Sequence, residues 1–74
     1  MATGKLRGTV ETIKRQEGYG FITHTATGED HFFHRSSIER TSRVTWDDLQ
    51  PDQAVEFTPI DGPKGQRAIE VRAL

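Results

Sequence analysis

Five short runs of β-prone residues, each closed by turn-forming residues, constrain this 74-residue chain more than any other feature. The first run covers 5–14 and is rich in β-branched residues (Thr9, Val10, Thr12, Ile13). The others cover 19–24, 30–34, 54–60 and 67–73. Val55 and Phe57 alternate with Glu56, and Ile69 and Val71 alternate with Glu70 and Arg72. That period of two is the mark of a half-buried strand. Gln16–Glu17–Gly18, Thr27–Gly28–Glu29 and Asp61–Gly62–Pro63–Lys64–Gly65 punctuate the runs, and the first two connections are short enough for hairpins. No segment has the length and periodicity of a long helix. Short strands at this spacing predict a small all-β barrel, because closure removes exposed sheet edges.

The connection across 35–53 is long. Ser36 followed by Glu39 has the form of a capping box, and Thr45 followed by Asp48 is a weaker version. Single helical turns are expected there, with Ile38 and Leu49 turned inward. The chain carries no internal repeat and no low-complexity segment.

Size and composition set bounds. At this length one small domain is expected, and it buries roughly 60% of its unfolded surface. The chain has no cysteine, which excludes disulfides, thiolate chemistry and a cysteine-based zinc site. No apolar run is long enough for a membrane span or a signal peptide, so a cytoplasmic location is the expectation. Hydrophobic residues make up only 32%, but they alternate, which argues against disorder. The net charge is −1, without the basic excess by which nucleic-acid binders are usually sought. The distribution is uneven. Residues 1–23 carry Lys5, Arg7, Lys14 and Arg15 against Glu11 and Glu17, whereas residues 46–74 carry six acids against Lys64, Arg67 and Arg72. A nucleic-acid surface would therefore lean on the first half.

The stretch EGYGFITH (17–24) raises a question of parity. In a strand Tyr19 and Phe21 share one face, and Gly20 and Ile22 the other. Ile22 fits the interior, which leaves two aromatic rings wet. In DHFFHRSSI (30–38), Phe32 and His34 share one face, and His31 and Phe33 the other. If the two strands pair antiparallel, Tyr19, Phe21, Phe32 and His34 meet on one surface. Stacking a nucleic-acid base on an aromatic side chain contributes about 1–3 kcal/mol, a reason to keep such rings exposed. By the same parity Phe33 belongs to the core.

GYGFIT followed by DHFFHRSSI resembles the paired ribonucleoprotein motifs of the cold-shock domain. Gly8 and Val10 match its first-strand pattern, and Leu49 through VEF to KGQRAIEV match the rest. The resemblance spans about Gly4 to Leu74, so residues 1–74 are expected to be a single cold-shock-like domain. It implies a five-stranded antiparallel barrel of OB type that binds single-stranded RNA or DNA and acts as an RNA chaperone or regulator. It assigns base stacking to Tyr19, Phe21, Phe32 and His34, and by position in the long loop to Trp46. Lys14, Arg15 and Arg35 are the expected backbone contacts. The chain also departs from the family. Thr12 and Ile13 stand where a Trp–Phe pair is usual, Arg35 where Phe often follows the histidine, and Glu17 where lysine precedes the glycine. The loop before Trp46 is a few residues longer than usual. Roughly half of the stacking platform remains.

Other readings of the same residues are weaker. His24, His31 and His34 do not form a metal set, because His31 and His34 face opposite ways and no carboxylate joins them at ligand spacing; His31 is expected to be a partly buried structural residue. Ser36–Ser37 beside His34 is not a triad arrangement, and Gly62–Pro63–Lys64–Gly65 lacks the spacing of a phosphate loop. Lys64 and Arg67 read as surface charges. The expectation is a non-enzymatic monomer with no cofactor, no metal, no membrane and no small-molecule substrate. Two alternatives remain: an OB-type protein-interaction module, favoured by the missing rings and net charge, and a domain cut from a larger protein.

Overall fold

The computed structural model describes residues 5–40, 42, 44–63 and 65–74. Gly4 and Lys64, named above as the start of the matched core and as a surface charge, lie outside the described residues. Five strands run Leu6–Lys14 (β1), Tyr19–His24 (β2), Asp30–His34 (β3), Ala54–Gly62 (β4) and Gly65–Ala73 (β5). They close into a barrel in the order β1-β2-β3-β5-β4. Four of the five seams are antiparallel. The fifth, between β3 and β5, is parallel and pairs Phe32 with Arg67, a correction to the all-antiparallel expectation. β3 lies near the middle of the chain and β5 at its C-terminal end, and they run the same way, so no hairpin could join them.

The strands β4 and β5 extend closer to their turn than the residue pattern suggests. Gly62 pairs with Gly65, so the ladder continues past the last apolar residues. Ile60 is exposed there, and alternation carries no signal in a wet stretch of ladder.

The interior is filled by Val10, Ile22, Phe33, Leu49, Val55, Phe57, Ala68 and Val71, with Leu6, Ile13, Ile38, Val44 and Trp46 packed against them. Both helical turns are short 3-10 elements, η1 at Arg35–Ser37 and η2 at Trp46–Asp48. Their caps differ from the expected boxes. His34 caps η1, its ring accepting from the Ser36 backbone N–H, and Thr45 precedes η2 without a side-chain bond. The hydroxyl of Ser36 is already engaged with His34 Nδ1 at 2.9 Å.

Two bulges reset the alternation. In β1, Val10 pairs with Ile22 but Thr12 pairs with Phe21, so Glu11 is the extra residue. The bulge lets Val10 and Ile13 both turn inward while Thr12 joins the outer face. In β5, Glu56 pairs with Arg72 and Thr58 with Ile69, leaving two residues of β5 opposite one of β4. Glu70 in that bulge has φ 53°, a left-handed conformation uncommon outside glycine and asparagine. Its carboxylate accepts from Thr58 Oγ1 at 2.9 Å and lies 3.5 Å from Lys5 Nζ. The Thr58 hydrogen bond, followed by the Lys5 charge, holds the Glu70 carboxyl below its ordinary pKa.

Candidate nucleic-acid interface

The β2–β3 hairpin builds the site from alternation alone. Its register pairs Tyr19 with His34, Phe21 with Phe32, and Ile22 with His31. Directly opposed residues share a face, so Tyr19, Phe21, Phe32 and His34 fall on one surface, half-buried, while Gly20, Ile22, His31 and Phe33 are buried. Gly20 is needed beneath the platform. A Cβ there would stand 2.9 Å from Phe33 Cε1 and 2.4 Å from the Thr12 carbonyl oxygen. The inner ring of Phe33 thus passes under the backbone that holds the outer rings up.

The three outer rings form one cluster. Tyr19 and Phe32 stack with centroids 5.4 Å apart and planes 29° from parallel. Phe21 meets Tyr19 at 6.1 Å and Phe32 at 5.9 Å, both edge to face. Such pairing limits ring motion. Phe21, Phe32 and His34 form one wall of an open groove of about 640 Å³, and Pro63, Gly65, Gln66 and Arg67 form the other. His34 Nδ1 accepts from the Ser36 N–H at 3.1 Å. In the neutral ring that leaves the proton on Nε2, making it the donor available to a ligand.

The expected cations divide into two kinds. Lys14 and Arg35 are exposed. Arg35 follows His34 and donates its backbone N–H to Gly18 O, and its stem lies over Gly18, with Cδ 3.5 Å from where a Cβ would be. Arg15 is bound to the protein itself. Its guanidinium donates to the carbonyl oxygens of Trp46 and Leu49, at 2.5 and 2.7 Å, which ties the end of β1 to the η2 turn. Trp46 is half-buried and sits edge-on to Phe33 at 5.8 Å. It packs against the core beside the barrel and is not one of the rings in the Tyr19–Phe21–Phe32 cluster. Thr12 lies beside Phe21, so Phe21 separates it from Phe32 across the sheet.

Residue pattern alone missed the second wall of the groove. Arg67 reads as an ordinary surface charge, yet its guanidinium lies over the Phe32 ring, 5.5 Å from the centroid. The only signal was its outward position near the start of the fifth run; nothing local indicates that β5 lies beside β3. Away from this groove, His31 is 2% exposed, more deeply buried than expected. Its ring sits 5.0 Å from Phe57 and 6.2 Å from His24. Among the described residues no cluster of three metal-ligating side chains occurs, and no helix is long and apolar enough to cross a membrane.

Residues 6–74 match the model of the 'Cold-shock' DNA-binding domain. The chain belongs to the cold-shock domain family. Members of this family bind nucleic acid and the family is not an enzymatic one. A cold shock-like protein of Aquifex aeolicus is 43% identical over 92% of this chain and 93% of its own length. The cold shock-like protein CspA of Stigmatella aurantiaca is also 43% identical, over 90% of this chain and 94% of its own. CspJ of Salmonella typhi, another cold shock-like protein, is 39% identical over 97% and 99%.

Proposed function

We propose that this cold-shock domain binds single-stranded RNA or DNA by stacking bases on Tyr19, Phe21, Phe32 and His34, and acts as a passive RNA chaperone. The observation that carries this reading is the contiguous, half-exposed cluster of three rings, 5.4 to 6.1 Å apart, opening onto a groove. Such rings shed water when a base covers them, at about 1–3 kcal/mol per stacked base. Lys14 and Arg35 supply charge to the sugar–phosphate backbone from exposed positions, and Arg15 adds charge while anchoring the Trp46 turn. Trp46, half-buried against the inner Phe33, takes a base apart from the three-ring cluster.

Chaperone action needs no chemistry. A base held on the platform leaves the pool that can pair, so local RNA structure melts by mass action. Few cations face the ligand and Thr12 offers no ring, so net affinity in the micromolar range, near −8 kcal/mol, is expected. Residue-resolved NMR during titration with oligothymidine and with oligouridine tests the reading. Shifts concentrated at Phe21, Phe32 and Trp46 support it. An unchanged spectrum at high micromolar oligonucleotide contradicts it and favours a protein partner for this surface.

A further inference from the structure

The groove has two walls of different chemistry. The β2–β3 wall is flat and aromatic. The β4–β5 wall presents Pro63, Gly65, Gln66 and Arg67. A base lying on the aromatic wall turns its edge toward the other, where the only charged side chain among the described residues lining the groove, apart from the histidine ring, is Arg67.

Arg67 is held in place by three features. Its backbone is the register partner of Phe32 across the parallel β3–β5 seam. Its guanidinium lies over the Phe32 ring at 5.5 Å, a cation–π arrangement. Its stem crosses Gly62, where a Cβ would stand 2.9 Å from Arg67 Cδ and 3.2 Å from Cγ. Gly62 is not required for a left-handed backbone; its lack of a side chain is what leaves room for the arginine. Arg67 Nε is buried with no hydrogen-bond partner. The salt bridges among the described residues involve Lys5 and Arg72 and leave Arg67 without a carboxylate. The result is a guanidinium fixed by packing beside a stacking ring, with no ion pair claiming its donors.

We infer that Arg67 selects the base at the Phe21–Phe32 subsite, favouring guanine over adenine; the inference rests on the stacking function proposed above. A guanidinium only donates, through a rigid fork. Guanine offers two adjacent acceptors, O6 and N7, which match that fork. Adenine places its N6 amino donor beside N7. With adenine in the subsite one arm of the fork meets a donor and goes unpaired in a partly desolvated groove, where an unmade hydrogen bond is costly. Because the fork is already held, little freedom is lost when it engages the base.

The test compares heptamers: seven thymidines, and two sets in which one guanine or one adenine replaces each thymidine in turn. Binding is read by fluorescence anisotropy for the wild type, Arg67→Lys and Gly62→Ala, after thermal melts show each variant folded. Wild type should bind the best guanine heptamer about five- to 150-fold more tightly than the adenine heptamer substituted at the same position. Arg67→Lys keeps the charge without the fork, so it should bring that ratio close to one, with the guanine heptamers losing more affinity than heptathymidine. Gly62→Ala, which displaces the arginine stem without changing its chemistry, should lower the ratio in the same direction. A wild-type ratio near one overturns the inference, as does a ratio that survives Arg67→Lys. Equal weakening by Arg67→Lys toward all heptamers would instead make Arg67 a phosphate contact. Failure of every heptamer, heptathymidine included, removes the stacking function and this inference together, whereas firm binding without discrimination removes this inference alone.

Discussion

The two faces of the β2–β3 hairpin are made by neighbouring residues and have opposite characters. Ile22 and Phe33 are fully buried in the barrel. Phe21 and Phe32, one position away on the same strands, remain half-exposed and touch one another. A hydrophobic residue is ordinarily placed to stabilise the fold. Here the alternation assigns one set of rings to the fold and leaves the other with surface that folding does not use. The comparison teaches that stability and binding are separable in this hairpin, because a strand turns successive side chains to opposite sides. The faces meet at one point, Gly20, where the inner Phe33 ring touches the backbone of the outer platform.

The largest expected effect is on the inner face. Phe33→Ala removes a fully buried ring and should cost about 3–5 kcal/mol, enough to unfold much of a small domain. Urea denaturation checks it; a loss under about 1 kcal/mol would break the division. On the outer face, Phe32→Ala should weaken binding to a single-stranded oligonucleotide by about 1–3 kcal/mol. Its melting temperature should change far less than that of the inner variant. Calorimetric titration next to a thermal melt separates the two effects, and equal damage to both would mean that the outer rings serve the fold.

Adding a ring sharpens the comparison from the other side. Thr12 pairs with Phe21 on the outer face, so Thr12→Trp extends the platform and should tighten binding by about 1–2 kcal/mol. The gain should appear with an oligomer long enough to reach the added ring and vanish with a shorter one. Equal affinities from a folded variant would remove Thr12 from the platform. The smallest effect serves as a control that leaves both faces of the hairpin alone. The Glu70 carboxyl is held below its ordinary value of 4.5, first by Thr58 and then by Lys5. A group whose folded pKa is depressed contributes stability above its unfolded pKa and loses it as pH falls through the folded one. Glu70→Gln should therefore lose a little stability at neutral pH and show a flatter decline below about pH 4.5, with nucleic-acid affinity at pH 7 unchanged. Acid denaturation curves of the two proteins check it; superimposable curves would contradict the assignment.

Most of the fold was legible because it is written locally. Alternation and turn residues located the strands, and β2 and β3 begin and end where the pattern predicts. What was not legible depends on distant partners. The β1 bulge at Glu11 exists because Val10 and Ile13 both face the core, and a period of two cannot anticipate that break. The parallel β3–β5 seam joins residues more than 30 positions apart, so the second groove wall and Arg67 had no local signature. Arg15 illustrates the same limit. Its sequence context suggests a free cation, whereas its guanidinium closes on the Trp46 and Leu49 carbonyls. Trp46, isolated among acids in the sequence, finds Phe33 only through folding.

Phe21 and Ile22 are adjacent in sequence and lie on opposite faces, which makes them the most direct test of the central claim. The measurement is a paired one: unfolding free energy and oligothymidine affinity for Phe21→Ala and for Ile22→Ala. Phe21→Ala should remain folded and lose about five- to 150-fold in affinity. Ile22→Ala should lose about 2–5 kcal/mol of stability and, in whatever fraction stays folded, bind as the wild type does. An unfolded Phe21→Ala beside a stable Ile22→Ala would invert the hairpin and contradict the account.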